Sequence, residues 1–127
     1  MVSNDIGASL TPLTLFAPAT RTATANGTGV DLKNAYQGLA AVILANNTTS
    51  GTSPTMDVKI QDSADNSTYA DVTGYTFTQV TAALTNPSVL TIDIRNLRRY
   101  ARAVVTMGGT SPSFLCSVTL LVSPQVT

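Results

Sequence analysis

Apolar side chains recur along this chain at two-residue spacing more consistently than at helical spacing. Met56-Asp57-Val58-Lys59-Ile60-Gln61 is the clearest case. Met56, Val58 and Ile60 fall on one side of an extended strand, and Asp57, Lys59 and Gln61 fall on the other. Leu90, Ile92 and Ile94 alternate in the same way with Val89, Thr91 and Asp93. Gly38 to Asn46 is the most apolar run and reads as a central strand. Leu32, Tyr36, Leu39 and Ile43 share a helical spacing, so a helix over 32–44 competes with that strand. The β-branched pair Val42-Ile43 and the Asn-Thr-Thr ending favour the strand. The stretch Asn46 to Thr55 reads as a loop that makes 38–46 and 56–61 antiparallel partners. Further strands are expected at Arg21 to Asn26, Val30 to Leu32, Tyr69 to Val72, Gly74 to Val80, Val89 to Ile94, Tyr100 to Met107 and Ser113 to Val122.

Turn residues separate these runs at short intervals: Asn26-Gly27, Asp62 to Ser67, Thr73-Gly74, Asn86-Pro87, Gly108-Gly109 and Ser111-Pro112. Short alternating runs between regular turns predict an all-β fold, an antiparallel β-sandwich of jelly-roll or Ig-like type with about eight strands. Residues 1–18 differ from the rest. They carry Pro12 and Pro18 and an isolated apolar patch from Leu13 to Phe16, and read as an extended N-terminal arm with one short strand. Residues 19–127 form the sandwich domain.

Composition narrows the chemistry more than it names a function. The chain has 127 residues, enough for one ordinary core, and carries seven basic and seven acidic side chains for a net charge of zero. Only 11% of residues are charged, well under the usual share, and Thr, Ser, Asn and Ala stand in their place. There is no His, no Trp and no Glu. Histidine bases, Ser-His-Asp and Cys-His arrangements and His-ligated zinc are therefore impossible. The neutral chain lacks the basic field of a nucleic-acid binder. Its N-terminus has neither the basic nor the apolar region of a secretory signal, and the longest apolar run, Leu39 to Ala45, is far too short to span a bilayer. Neither a nucleic-acid nor a membrane partner is expected, and no cofactor. Cys116 is the sole cysteine and sits in an apolar run, so it reads as a buried thiol. Asn26, Asn47 and Asn66 begin glycosylation sequons that read more simply as turns.

Two segments carry candidate chemistry. Asp62, Asp65 and Asn66 could place several oxygens around a calcium ion, although the spacing is not that of an EF-hand. The alternative is a hairpin turn whose side chains satisfy their own backbone. In the second segment, Arg95, Arg98, Arg99 and Arg102 place four of the seven basic residues within eight positions. Arginine forks suit the carboxylates of an acidic partner. A turn and strand whose arginine stems cover apolar surface is the equal alternative. A carbohydrate-binding module would need exposed aromatics, whereas Tyr75 and Phe77 alternate in one strand and read as core or interface, and no acidic pair is spaced for glycoside chemistry.

The stretch Asp57-Val58-Lys59-Ile60-Gln61-Asp62-Ser63-Ala64-Asp65 leads through Thr68-Tyr69-Ala70-Asp71-Val72. Later come Leu97-Arg98-Arg99-Tyr100-Ala101-Arg102-Ala103-Val104-Val105-Thr106, a Gly-Thr-Ser-Pro turn and a final apolar strand. Over about residues 39–122 this order resembles the small β-sandwich structural proteins of tailed-bacteriophage particles. Size and composition are similar to the capsid decoration, or cement, proteins among them. The resemblance implies a non-enzymatic virion protein, made in the host cytoplasm and seated on the capsid surface. It implies the major capsid protein as partner and a homo-oligomer, with a trimer favoured. From the residues themselves, Leu10, Leu13, Leu15 and Phe16 of the arm are the expected contact with neighbouring subunits, and the four arginines the expected contact with an acidic partner such as the capsid. A neck, tail or fibre-associated sandwich, or a carbohydrate-binding module, is the alternative.

Overall fold

A computed structural model describes residues 10–32 and 36–124. Within them the chain forms seven strands: β1 (Thr11–Arg21), β2 (Ala25–Asn26), β3 (Val30–Asp31), β4 (Tyr36–Ser63), β5 (Ala70–Thr76), β6 (Ser88–Asp93) and β7 (Tyr100–Pro124). One 3-10 turn, Ile94–Asn96, joins β6 to β7. The helix considered over 32–44 is not formed where the chain is described. Residues 36–44 lie in β4, with Ala40, Val42 and Leu44 buried in strand alternation.

β4 and β7 are long and pair antiparallel along nearly their whole length. Residues 36–46 of β4 lie between β6 and residues 116–124 of β7, and β1 pairs the far side of β7. Residues 55–63 of β4 lie between β5 and residues 100–108 of β7, with β2 and β3 beyond. β4 and β7 thus supply a segment to each half, and with the short β2 and β3 counted as one edge this gives eight segments in two four-stranded sheets. The first segment pairs the eighth, the second the seventh, the third the sixth and the fourth the fifth. That nesting is the double Greek key of a jelly roll and separates it from the Ig-like order. The inner faces meet in one core. Val42, Leu44, Phe114, Val118 and Leu120 come from one sheet, and Met56, Val58, Ile60, Ala103 and Val105 from the other.

The expected loop at Asn46 to Thr55 is instead a bend within β4, and 38–46 and 56–61 are not hairpin partners. The Gly108 to Pro112 turn is likewise a bend within β7. Both bends carry Gly-Thr-Ser-Pro, at 51–54 and 109–112. Gly51 and Gly109 have φ of +114° and +94°, while Ser53 and Ser111 both have φ of +49°. Thr52 faces Thr110 across the ribbon, and register shifts flank the pair. Two bulged strands therefore cross over one another with local two-fold symmetry and carry the ribbon from one sheet to the other. Asn46, buried, pins the bend: its Nδ2 donates to the Leu115 carbonyl at 3.0 Å and its Oδ1 accepts from the Thr49 hydroxyl at 3.2 Å.

Residues 10–18 of the expected arm are part of the domain, and residues 1–9 lie outside the described residues. β1 runs through position 18 without a break. Register shifts at Thr14/Phe16 and Phe16/Ala19 turn consecutive side chains, Leu15 and Phe16, into the core. Simple alternation would have put one of them outside.

Candidate functional site

The arginine cluster lies at the end of the sandwich where β4 meets β5 and the 3-10 turn enters β7. Its charges are held within the chain. Arg98 donates from its backbone N–H to Asp62 Oδ2 at 3.0 Å, and from Nε and Nη2 to Oδ1 at 3.1 and 2.9 Å. Arg99 grips Asp31 through Nε at 3.0 Å and Nη2 at 2.8 Å, and Arg95 grips Asp93 at the same two distances. Arg102 donates twice to Gln61 Oε1 and stacks its guanidinium 4.0 Å from the Tyr69 ring centre. The hydrogen bond from Arg95 holds the Asp93 carboxyl below the usual carboxylate range. An acidic partner would therefore meet three guanidiniums already paired with carboxylates. Exchanging Arg98 and Arg99 for Glu would test fold stability before attachment.

Asp62→Ala is expected to cost about 1–2 kcal/mol, because it removes every one of these Arg98 bonds to the carboxylate while water reaches part of the guanidinium. Urea unfolding would show this as a lower midpoint at unchanged slope.

The Asp62–Asp65 segment satisfies itself. Asp62 faces Arg98, whereas Asp65 Oδ1 accepts from the Ser67 and Thr68 N–H groups and the Ser63 hydroxyl, each at 2.9 Å. Asn66 turns the chain with φ of +61° and accepts from the Tyr69 hydroxyl. The two carboxylates point at different partners and do not converge on a cation. Among the described residues, no three His, Cys, Asp or Glu side chains gather as a metal site.

The backbone donors of Thr68 and Ser67 lower the Asp65 pKa from 3.8 to about 2. The unfolded chain then binds more protons than the folded one between these values. The stabilisation is complete above pH 3.8 and is lost as pH falls through about 2. A titration of the Asp65 carboxyl followed by NMR should give a midpoint near 2, with the Ser67 and Thr68 amide shifts moving in step. A midpoint near 3.8 would contradict the turn geometry.

Among the described residues, the aromatic rings do not form a sugar platform. Phe16, Phe77 and Phe114 are in the core. The Tyr75 hydroxyl accepts from the Asp93 N–H at 2.8 Å, and Tyr69 lies beneath Arg102. Burial pushes the Cys116 thiol pKa up, as expected of an inert thiol.

The two outer faces of the sandwich differ in kind. One sheet presents Asp57, Lys59, Gln61 and Arg102, with Lys59 bonded to Asp71 at 3.0 Å and Gln79 to Asp57. The other presents Leu39, Ala41 and Ile43 of β4, Val89 and Thr91 of β6, and Ser117, Thr119 and Leu121 of β7. Its one charged side chain in these rows is Asp93, at the margin opposite Leu39 and already paired with Arg95. Leu39 and Val89 are 66% and 63% exposed, the two large hydrophobic residues most open to solvent among those described.

Two shallow clefts open on this face. One, of about 250 Å3, lies among Pro18, Ala45, Leu84, Pro87 and Leu115; the other, of about 260 Å3, lies among Leu10, Leu39, Thr91 and Leu121. Of the expected arm contacts, Leu10 borders this face, Leu13 packs partly buried against the core, and Leu15 and Phe16 are internal. Sequence reasoning did not single out Leu39 and Val89 as exposed, because Leu39 lies in a run read as a central strand and Val89 in one read as a half-buried strand. Their outward direction follows only from the register β6–β4–β7.

No protein-family model matches the chain, and no curated protein does. Solved structures do resemble it. A chain of the infectious bursal disease virus Gx strain matches with a TM-score of 0.56 at 9% identity, over 90% of this chain. The chain corresponds to 31% of that viral chain. A second match, from the Bacillus endospore appendages described as a novel family of disulfide-linked pili, has a TM-score of 0.46 at 16% identity. It covers 99% of both chains. The viral likeness supports the jelly-roll fold. Among the described residues no helix is long and apolar enough to cross a membrane.

Proposed function

We propose that this chain is a non-enzymatic structural component of a virus particle, one that binds the outer surface of a phage capsid and reinforces the joins between major capsid protein subunits. The observation that carries the reading is a jelly roll with one outer face almost free of charge, beside a polar end whose charged groups are held by partners within the chain. A catalyst needs convergent, poised groups; a building block needs surfaces that fit other surfaces. The fold likeness to a chain of a virus particle supports the same reading. The chain would be made in the host cytoplasm and carried on the virion. A neck, tail or fibre-associated role differs from this one in copy number. The sugar-binding alternative has no exposed pair of rings among the described residues to support it.

Particles prepared with and without the chain test the reinforcing role. The expected result is that shells lacking it open at lower temperature or lower denaturant, and that added purified chain restores them. Equal resistance of both shells would contradict it.

A further inference from the structure

We infer that the uncharged outer face of the β6–β4–β7–β1 sheet is the site where a second copy of this chain seats, face to face about a two-fold axis. The inference deepens the structural-component reading by naming the surface that copies share.

Charge decides the partner. An isologous contact brings every group against its own symmetry mate or against others of the same face. The Asp57–Lys59–Arg102 face would have to bring those charges into an interface, where like charges can meet and pairs must be desolvated. The Leu39–Val89–Thr119–Leu121 face carries no charge in its interior, so it meets itself without repulsion and without burying an unpaired ion.

Size agrees. Four strands about 4.8 Å apart and seven residues of about 3.3 Å give a footprint of roughly 450 Å2 per copy. That is the scale of functional apolar patches on single chains. A pair would cover roughly 900 Å2, just under the roughly 1,000 Å2 that a stable specific contact clears, which makes it a weak pair. The contact should therefore be concentration-dependent. A cyclic trimer, by contrast, needs two different matching patches on each subunit. The described surface offers one uncharged face that can match itself, which favours a pair over the trimer that the bacteriophage resemblance implies.

Sedimentation velocity on the purified full chain, from low micromolar to millimolar protein, tests this. The expected species has twice the 13.2 kDa chain mass. Leu39→Lys with Val89→Lys should return it to the single-chain mass. Both side chains are about two-thirds exposed, so the fold should survive, as far-UV circular dichroism would show. Thr91→Lys, on the same face, should weaken pairing alone, and Thr106→Lys, on the opposite face, should leave it unchanged.

A single-chain mass at every concentration would overturn the inference. So would a threefold mass, or pairing that persists in the folded double variant. A chain that is monomeric yet binds particles through Leu39 and Val89 would assign the face to the shell protein and also overturn it. Because no particle is present in the sedimentation experiment, its failure leaves the particle reading to be judged separately by copy number.

Discussion

Leu15→Ala is expected to destabilise the chain by about 2–5 kcal/mol, a large share of the stability of an ordinary domain. Leu15 is 1% exposed and stands beside Phe16 in the bulged part of β1. Removing its side chain leaves a cavity beneath a strand whose backbone is fixed by pairing with β7, so the site cannot collapse to fill it. An arm that merely reached toward a neighbour would give the opposite result, an unchanged isolated chain. Denaturant unfolding of the purified protein separates the two. Thr14→Ala, an exposed neighbour on the same strand, should move the midpoint little.

That contrast also shows what the sequence carried. The alternation of Met56, Val58 and Ile60 against Asp57, Lys59 and Gln61 was enough to orient the middle of β4, and the same spacing oriented β6. The all-β class follows from such runs. What alternation could not reveal was a bulge, because the extra residue breaks the period that makes a strand legible. Leu15-Phe16 therefore looked like an isolated patch and not part of a core.

The bends posed the same difficulty in another form. Gly, Ser and Pro at 51–54 and 109–112 mark a change of direction, but a hairpin and a bend in a paired ribbon use the same residues. The long-range pairing of Thr52 with Thr110 decides between them, and that pairing is not local information. The arginine cluster was visible as a cluster. Its partners were not, since Asp31 and Asp62 lie 68 and 36 residues from Arg99 and Arg98.

Gly109→Ala should cost roughly 2–3 kcal/mol. Its φ of +94° lies where side-chain-bearing residues are strained. A Cβ there would also come within 2.4 Å of the Ser53 carbonyl oxygen and 2.9 Å of Pro54 Cα, which are backbone atoms of the crossing strand. Gly51 is its counterpart: a Cβ would meet the Ser111 carbonyl oxygen at 2.6 Å. The two strands approach so closely that neither can move without parting the ribbon. Gly51→Ala should therefore cost a similar amount, and the double variant less than the sum, because the first change already opens the crossing. Thermal unfolding of the three variants measures this. Simple additivity would mean that the two bends are independent.

The central claim is that this jelly roll is a repeated part of a particle, and copy number tests it most directly. Quantitative mass spectrometry of purified particles from the source culture would set its abundance against that of the most abundant shell protein. A decoration role predicts a ratio near one or a simple fraction of it. Absence from the particles would contradict the account, and a handful of copies per particle would contradict the capsid-surface role and move the chain to the neck or tail.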